Sequence, residues 1–203
     1  MAKRAKASKS QRPADASKVR IIGGSLRGRF MPVADRPGLR PTGNRQREML
    51  FNWLAMELPG ARCLDCFAGT GALAMEAVSR DAAGVVCLEK DPGLAQAIRQ
   101  QAEAFGVADR LQVETTDALS WLGRCPQPFD LAFVDPPFAA DLWQPTLEAL
   151  AGGPIRTGGL VYLEYPAPEP RFSIAPVWQV ERSKRCAGVV CNLLRLATPE
   201  SSS

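Results

Sequence analysis

From residue 61 onward, short apolar runs alternate with longer stretches whose apolar positions recur every three to four residues. The short runs predict buried strands near 61–66, 84–89, 111–115, 130–134 and 158–164. The helical period predicts helices near 71–80, 92–105, 117–123 and 140–151. Strands alternating with helices imply right-handed crossovers and a parallel sheet covered on both faces. The pattern then changes: 174–183 and 188–197 read as two strands joined around Ala187-Gly188, an antiparallel hairpin at the end of the sheet. Upstream, Val19 to Phe30 reads as a short hairpin with a glycine turn at Gly23-Gly24. A helix over 43–58 follows, capped by Thr42 or Asn44 and stopped by Pro59-Gly60. Its apolar face is Met49, Leu50, Trp53, Leu54 and Leu58, which puts Arg45 and Arg47 on the solvent side. The expected organisation is a disordered basic tail (1–18), a basic hairpin-and-helix extension (19–58) and an α/β domain (59–198).

Charge sharpens this division. Residues 1–47 hold 13 Lys/Arg against 2 Asp, a net of +11, and residues 48–203 hold 12 Lys/Arg against 19 Asp/Glu, a net of −7. A basic N-terminal quarter on an acidic body reads as a nucleic-acid arm joined to a small-molecule domain, against the blander reading of a solubilising tail. No stretch approaches the ~20 apolar residues of a membrane span, and no apolar signal core follows the basic N-terminus. Six cysteines and no histidine fit a reducing cytoplasm and exclude Ser-His or Cys-His nucleophiles. Cys63 and Cys66 have C-x-x-C spacing, but within a strand they point to opposite faces, so no metal site is expected.

Candidate chemistry concentrates where the fourth predicted strand of the α/β domain runs into Asp135-Pro136-Pro137-Phe138. Pro137 keeps Pro136 out of the helical region, and both rings fix φ, so the turn is stiff. Asp135 and the Pro136 carbonyl can accept two hydrogen bonds from one flat NH2 group, while Phe138 offers a ring to stack on its base. An exocyclic amine is a poor nucleophile because its lone pair is delocalised. Two fixed acceptors orient it and stabilise the cation that forms on alkylation.

Leu64 to Ala74 reads as a strand end, a glycine turn and a helix start. Gly69-Thr70-Gly71-Ala72-Leu73-Ala74 satisfies G-x-G-x-x-G/A, and Glu89 ends the next strand, so a nicotinamide or flavin cofactor has to be weighed. Asp65 separates the readings. A carboxylate beside the turn repels a pyrophosphate but suits the ammonium of S-adenosylmethionine, which has a diol ribose and no phosphate. Glu89 would hold the ribose, and Asp117, after the third strand, would meet the adenine amine unless it is only a helix cap.

The chain resembles the class I S-adenosylmethionine-dependent methyltransferases, and specifically the RsmD family. The resemblance spans about residues 19–197. It rests on Arg20-Ile21-Ile22-Gly23-Gly24, Arg27-Gly28-Arg29, Arg40-Pro41-Thr42 with Arg45 and Arg47-Glu48, Leu50 to Leu54, Leu64 to Gly71, and Val134 to Phe138. It implies a Rossmann-like, seven-stranded, mostly parallel sheet with a C-terminal antiparallel hairpin, helices on both faces and the small N-terminal extension. The implied activity is methylation of N2 of guanine 966 of 16S rRNA in the small ribosomal subunit or its assembly intermediate, by a cytoplasmic monomer. The implied cofactor site is Asp65, Phe67, Ala68, Gly69, Thr70, Gly71, Glu89, Lys90, Asp117, Ala118 and Asp135. The implied catalytic group is Asp135, Pro136 and Phe138, and the expected RNA contacts are Arg20, Arg27, Arg29, Arg40, Arg45 and Arg47. At Asn44 the family usually carries an acid, and at Gln46 a small apolar residue. Two rivals stand beside this reading: an N6-adenine DNA methyltransferase, which usually needs a further recognition domain, and a catalytically inactive RNA-binding assembly factor.

Overall fold

The computed structural model describes residues 18–32, 43–125, 127–167, 172–186 and 188–198. The basic tail up to residue 17, Arg40 and the Thr42 cap lie outside the described residues. The α/β part runs β3 (Arg62–Asp65), α2 (Ala72–Ser79), β4 (Gly84–Glu89), α3 (Pro92–Phe105), β5 (Leu111–Thr115), α4 (Ala118–Leu122), β6 (Phe129–Val134), α5 (Trp143–Ala151), β7 (Ile155–Pro166), β8 (Trp178–Cys186) and β9 (Val189–Leu196), after an extension of β1 (Lys18–Arg20), β2 (Phe30–Pro32) and α1 (Asn44–Trp53). The main sheet has seven strands in the order β5-β4-β3-β6-β7-β9-β8. The first five positions are parallel, and β9 is antiparallel to both β7 and β8, as the terminal hairpin predicts.

Two buried clusters cover the two faces. One joins Leu131, Phe133, Tyr162 and Cys191 to α2, α3, α1 and the N-terminal hairpin, and the other joins Leu64, Val134 and Leu163 to α4 and α5. Cys63 lies in the first cluster and Cys66 in the second, so the pair does face opposite ways. Local signals explain the best-defined boundaries. Asp91 caps α3, accepting from the amides of Gly93 (2.8 Å) and Leu94 (2.9 Å), with Pro92 in the first turn and Gly106 at φ +70° ending the helix.

The extension departs from expectation in three ways. The strand ladder runs only from Lys18 with Pro32 to Arg20 with Phe30; beyond it Ile21 still bonds to Arg29 and Gly28, but residues 26–29 form a turn rather than strand. Instead, Ser25 N donates to the Ser79 carbonyl (2.7 Å) and Leu26 N to Ser79 Oγ (2.9 Å), clamping the loop on the end of α2. The helix ends at Trp53 rather than 58, and Gln46 Oε1 accepts from Gly43 N (2.8 Å) at its start, while the Asn44 side chain turns to Arg47 instead of capping. Arg47 is a correction of substance: it is fully buried, not on the solvent side. Its Nη2 donates to the Arg20 carbonyl (2.9 Å) and Asn44 Oδ1 (2.7 Å), and its Nη1 lies 3.7 Å from Glu76 Oε2. Position 47 shares a helix face with Leu50 and Leu54, and the partner that makes its burial tolerable comes from α2.

Candidate active site

The strand order reverses between β3 and β6, which opens a crevice beyond the carboxyl ends of the strands. The glycine turn lies there. Cys66 N donates to the Phe133 carbonyl (3.0 Å) and Ala68 N to the Leu88 carbonyl (3.0 Å), tying the turn to both neighbouring strands. Gly69 (φ +53°) and Gly71 (φ +74°) are left-handed, and a Cβ on Gly71 would come within 3.0 Å of Ile98 Cγ1. The turn is therefore narrow by construction.

Two of the acids expected at the cofactor, Glu89 and Asp65, also build the turn. Glu89 accepts from Gly69 N and Asp91 N, each at 2.8 Å. Asp65 is only 3% exposed, and its carboxyl accepts backbone hydrogen bonds from Phe67 and Ala74. Since Gly71, the residue before α2, has no capping side chain, Asp65 serves as the helix's cap from the strand. Burial pushes the Asp65 carboxyl up to about 7, with Glu89 adding to the rise and the two backbone donors opposing it. Phe67 and Thr70 are half-buried and Ala68 is buried; Lys90 is exposed just past Glu89. Asp117 is the N-cap of α4, accepting from Ser120 N at 3.0 Å, with Ala118 buried behind it. Capping leaves its other oxygen for a ligand amine.

Across the switch point, Asp65 pairs with Phe133, so Asp135 follows just beyond it on the neighbouring strand. Asp135 is half-buried, Pro136 is buried, and Phe138 is 43% exposed at the start of a 3-10 turn, Phe138–Ala140. Pro137 is extended (φ −54°, ψ 125°), its φ fixed by its own ring. The Phe138 ring lies 6.1 Å from that of Trp143, whose Nε1 donates to the Glu164 carbonyl (2.7 Å). The exposed aromatic thus stands on a supported base.

Of the expected RNA contacts, Arg20, Arg27, Arg29 and Arg45 are exposed, and the Arg29 guanidinium lies 5.1 Å from the Phe105 ring centroid. Arg40 is outside the described residues, and Arg47 is removed from the group by its burial. Sequence reasoning missed Glu76. This fully buried carboxylate accepts from Ile22 N (2.8 Å), Gly23 N (2.7 Å) and Arg80 Nε (2.8 Å), and thereby fastens the extension to the helix that begins at the glycine turn. The signal was there: one acid in an otherwise apolar helix. It also missed Glu164, a buried acid whose Oε2 accepts from Tyr162 Oη at 2.6 Å.

A reversed parallel sheet with a glycine turn and an Asp-Pro-Pro-Phe turn at adjoining strand ends is a class I methyltransferase. Within that class, a family model described as Conserved hypothetical protein 95 matches residues 19–195. The ribosomal RNA small subunit methyltransferase D of Escherichia coli K12 is 40% identical over 176 residues, 86% of this chain and 88% of that protein. The protein of the same name from Haemophilus influenzae is 38% identical, covering 77% of this chain and 83% of its own. Among solved structures, yhhF of Escherichia coli matches with a TM-score of 0.80 at 36% identity, covering 89% of this chain and 99% of that one. The chain belongs to the RsmD family of ribosomal RNA methyltransferases.

Proposed function

We propose that the protein transfers the methyl group of S-adenosylmethionine to N2 of a guanine, guanine 966 of 16S rRNA, in the small subunit or its precursor. The observation that carries this reading is the rigid Asp135-Pro136-Pro137-Phe138 turn placed one strand from the glycine turn, on the crevice side of the sheet. The residues present suit the cofactor. Glycines permit close backbone approach, Glu89 keeps lone pairs for a ribose diol, Asp117 keeps one for an adenine amine, and Asp65 supplies negative charge beneath the methionyl end. S-adenosylmethionine brings a methyl group already activated by its sulfonium, so no protein nucleophile or metal is required.

The protein's part is positioning and charge. Asp135 and the Pro136 carbonyl hold the hydrogens of the exocyclic amine and direct its lone pair toward the cofactor side. Phe138, exposed and backed by Trp143, stacks on a base that has left its helix; unstacking costs a few kcal/mol and least in a loop. The proton lost from N2 passes to Asp135 or to water. Arg20, Arg27, Arg29 and Arg45 position the RNA through its phosphates without reading sequence.

The test is methyl transfer from labelled S-adenosylmethionine to small-subunit particles, naked 16S rRNA and duplex DNA, followed by nucleoside identification. N2-methylguanosine from the RNA substrates supports the reading. N6-methyladenosine in the RNA or N6-methyldeoxyadenosine in the DNA would replace it with the adenine enzyme, and no transfer to any substrate with the inactive factor.

A further inference from the structure

The edge strand β8 reads Trp-Gln-Val-Glu-Arg-Ser-Lys-Arg-Cys, and Gln179 to Arg185 are exposed on both faces. An edge strand open on both sides is an unusual place for three basic residues unless they blunt the edge or meet a partner. The register decides between the two. Val180 pairs with Leu194 and Arg182 with Leu193, so Glu181 is bulged out of the ladder and the strand changes phase. Beyond the bulge, Arg182, Lys184 and Cys186 sit opposite Leu193, Cys191 and Val189, all members of the cluster that packs under α1 and the N-terminal hairpin. Directly opposed residues share a face, so Arg182 and Lys184 lie on the side of the sheet that carries the extension. The bulged Glu181 is turned back onto the Arg195 guanidinium, which leaves the two cations without it as a local counter-charge.

The same register reaches the site. Continuing the pairing of Val134 with Leu163 sets Asp135 beside Glu164; Glu164 pairs with Cys191, and Cys191 with Lys184. One row of the sheet therefore runs from Asp135 to Lys184, three strand spacings or roughly 14 Å. Over the rows between lies α1, whose Phe51 ring is 6.0 Å from that of Phe133 and whose Met49 sulfur is 4.0 Å from Cys186 Sγ. Arg45 stands one helical turn before Met49 and is exposed. Arg45, Met49, Cys186, Lys184 and Arg182 thus form a continuous path along one side of the crevice.

We propose that Arg182 and Lys184 of β8, with Arg45, form a second phosphate-binding bank for the RNA strand, flanking the base site at the β8 edge of the sheet, on the face that carries α1. The proposal rests on the RNA-methyltransferase reading above. It makes the RNA strand run over α1, above the buried row that links Asp135 to Lys184, and it gives the bulge a purpose: without it, the phase of β8 would turn both cations to the opposite face.

The test compares wild type, Arg182→Ala/Lys184→Ala, Arg182→Glu/Lys184→Glu and Arg124→Ala, which removes a cation beyond α4 on the other face. Filter binding to small-subunit particles across a salt series is measured together with methyl transfer and S-adenosylmethionine affinity. The double alanine variant is expected to raise KM for particles several-fold with kcat and cofactor affinity unchanged, and to flatten the log–log salt slope by roughly 1.4, about 0.7 for each single-strand phosphate that is no longer neutralised. Charge reversal should weaken binding further, and Arg124→Ala should match wild type. A double variant with wild-type slope and KM, or an Arg124→Ala variant that is impaired as much, overturns the second bank. If wild type makes no methylated guanosine the parent reading fails, while the slopes still report on the surface by themselves.

Discussion

Asp65 is almost sealed beneath the glycine turn, with its carboxyl pushed up to about 7 by burial. An unfolded aspartate titrates near pH 3.9. Between about pH 4 and 7 the native state therefore holds a proton that the unfolded chain has lost, and the contribution of this group to stability falls as pH rises through that window. A cation bound above the turn favours the ionised form and draws the proton off. S-adenosylmethionine affinity is therefore expected to rise between about pH 5.5 and 7.5, with proton release visible by calorimetry in buffers of different ionisation enthalpy. Asp65→Asn should abolish that rise; a wild-type profile flat across the same range would remove Asp65 from the cofactor site. Glu89→Ala should weaken the cofactor by about 1.5–3 kcal/mol, from loss of a charge-assisted partner and of the brace on Gly69. Unchanged calorimetric affinity would place the ribose elsewhere. These acids were legible because each ends a strand, but their bonds to the turn were not, since backbone donors leave no mark in a sequence.

At the scale of elements, Glu76 makes the hairpin, α1 and α2 one unit. Glu76→Ala leaves two amides and the buried Arg47 charge without their acceptor, which should cost roughly 3–5 kcal/mol in urea denaturation. Arg47→Met should cost much less, because burial already depresses the pKa of that guanidinium, Glu76 opposing, and Glu76 retains three other donors. Equal losses for the two variants would contradict this ranking. The helix was predicted from its apolar spacing, yet Arg47 was misplaced because its partner is distant in sequence. The strands of the sheet were legible from unbroken apolar runs. Two boundaries were not: β7 begins at Ile155, hidden by Gly158-Gly159, and β8 begins at Trp178, after Pro176, which lacks a ladder donor. The strand phase after Glu181 could not be read, since a bulge depends on the partner strand.

For the whole molecule, the +11 and −7 halves are a division of charge but not of packing, because the extension shares a core cluster with the sheet. Among the described residues, no helix is long and apolar enough to cross a membrane. Removing residues 1–17 deletes Lys3, Arg4, Lys6, Lys9 and Arg12 but no residue of β1, so fold and cofactor affinity should persist. Arg45→Ala should reduce methylation of particles more than that truncation, because α1 holds Arg45 in place. Methylation rates across a salt series would show the order, and the reverse order would make the tail the main contact.

The most direct measurement is nucleoside analysis of small-subunit RNA treated with wild type or with Asp135→Ala under single-turnover conditions. Wild type should yield N2-methylguanosine at one position. Asp135→Ala should bind S-adenosylmethionine normally yet transfer roughly 10²–10³-fold more slowly, the loss typical of removing one oriented charge-stabilising group. A folded Asp135→Ala protein that turns over at the wild-type rate, or a product methylated anywhere but on an exocyclic amine, would contradict the assignment of this turn as the methyl-acceptor site.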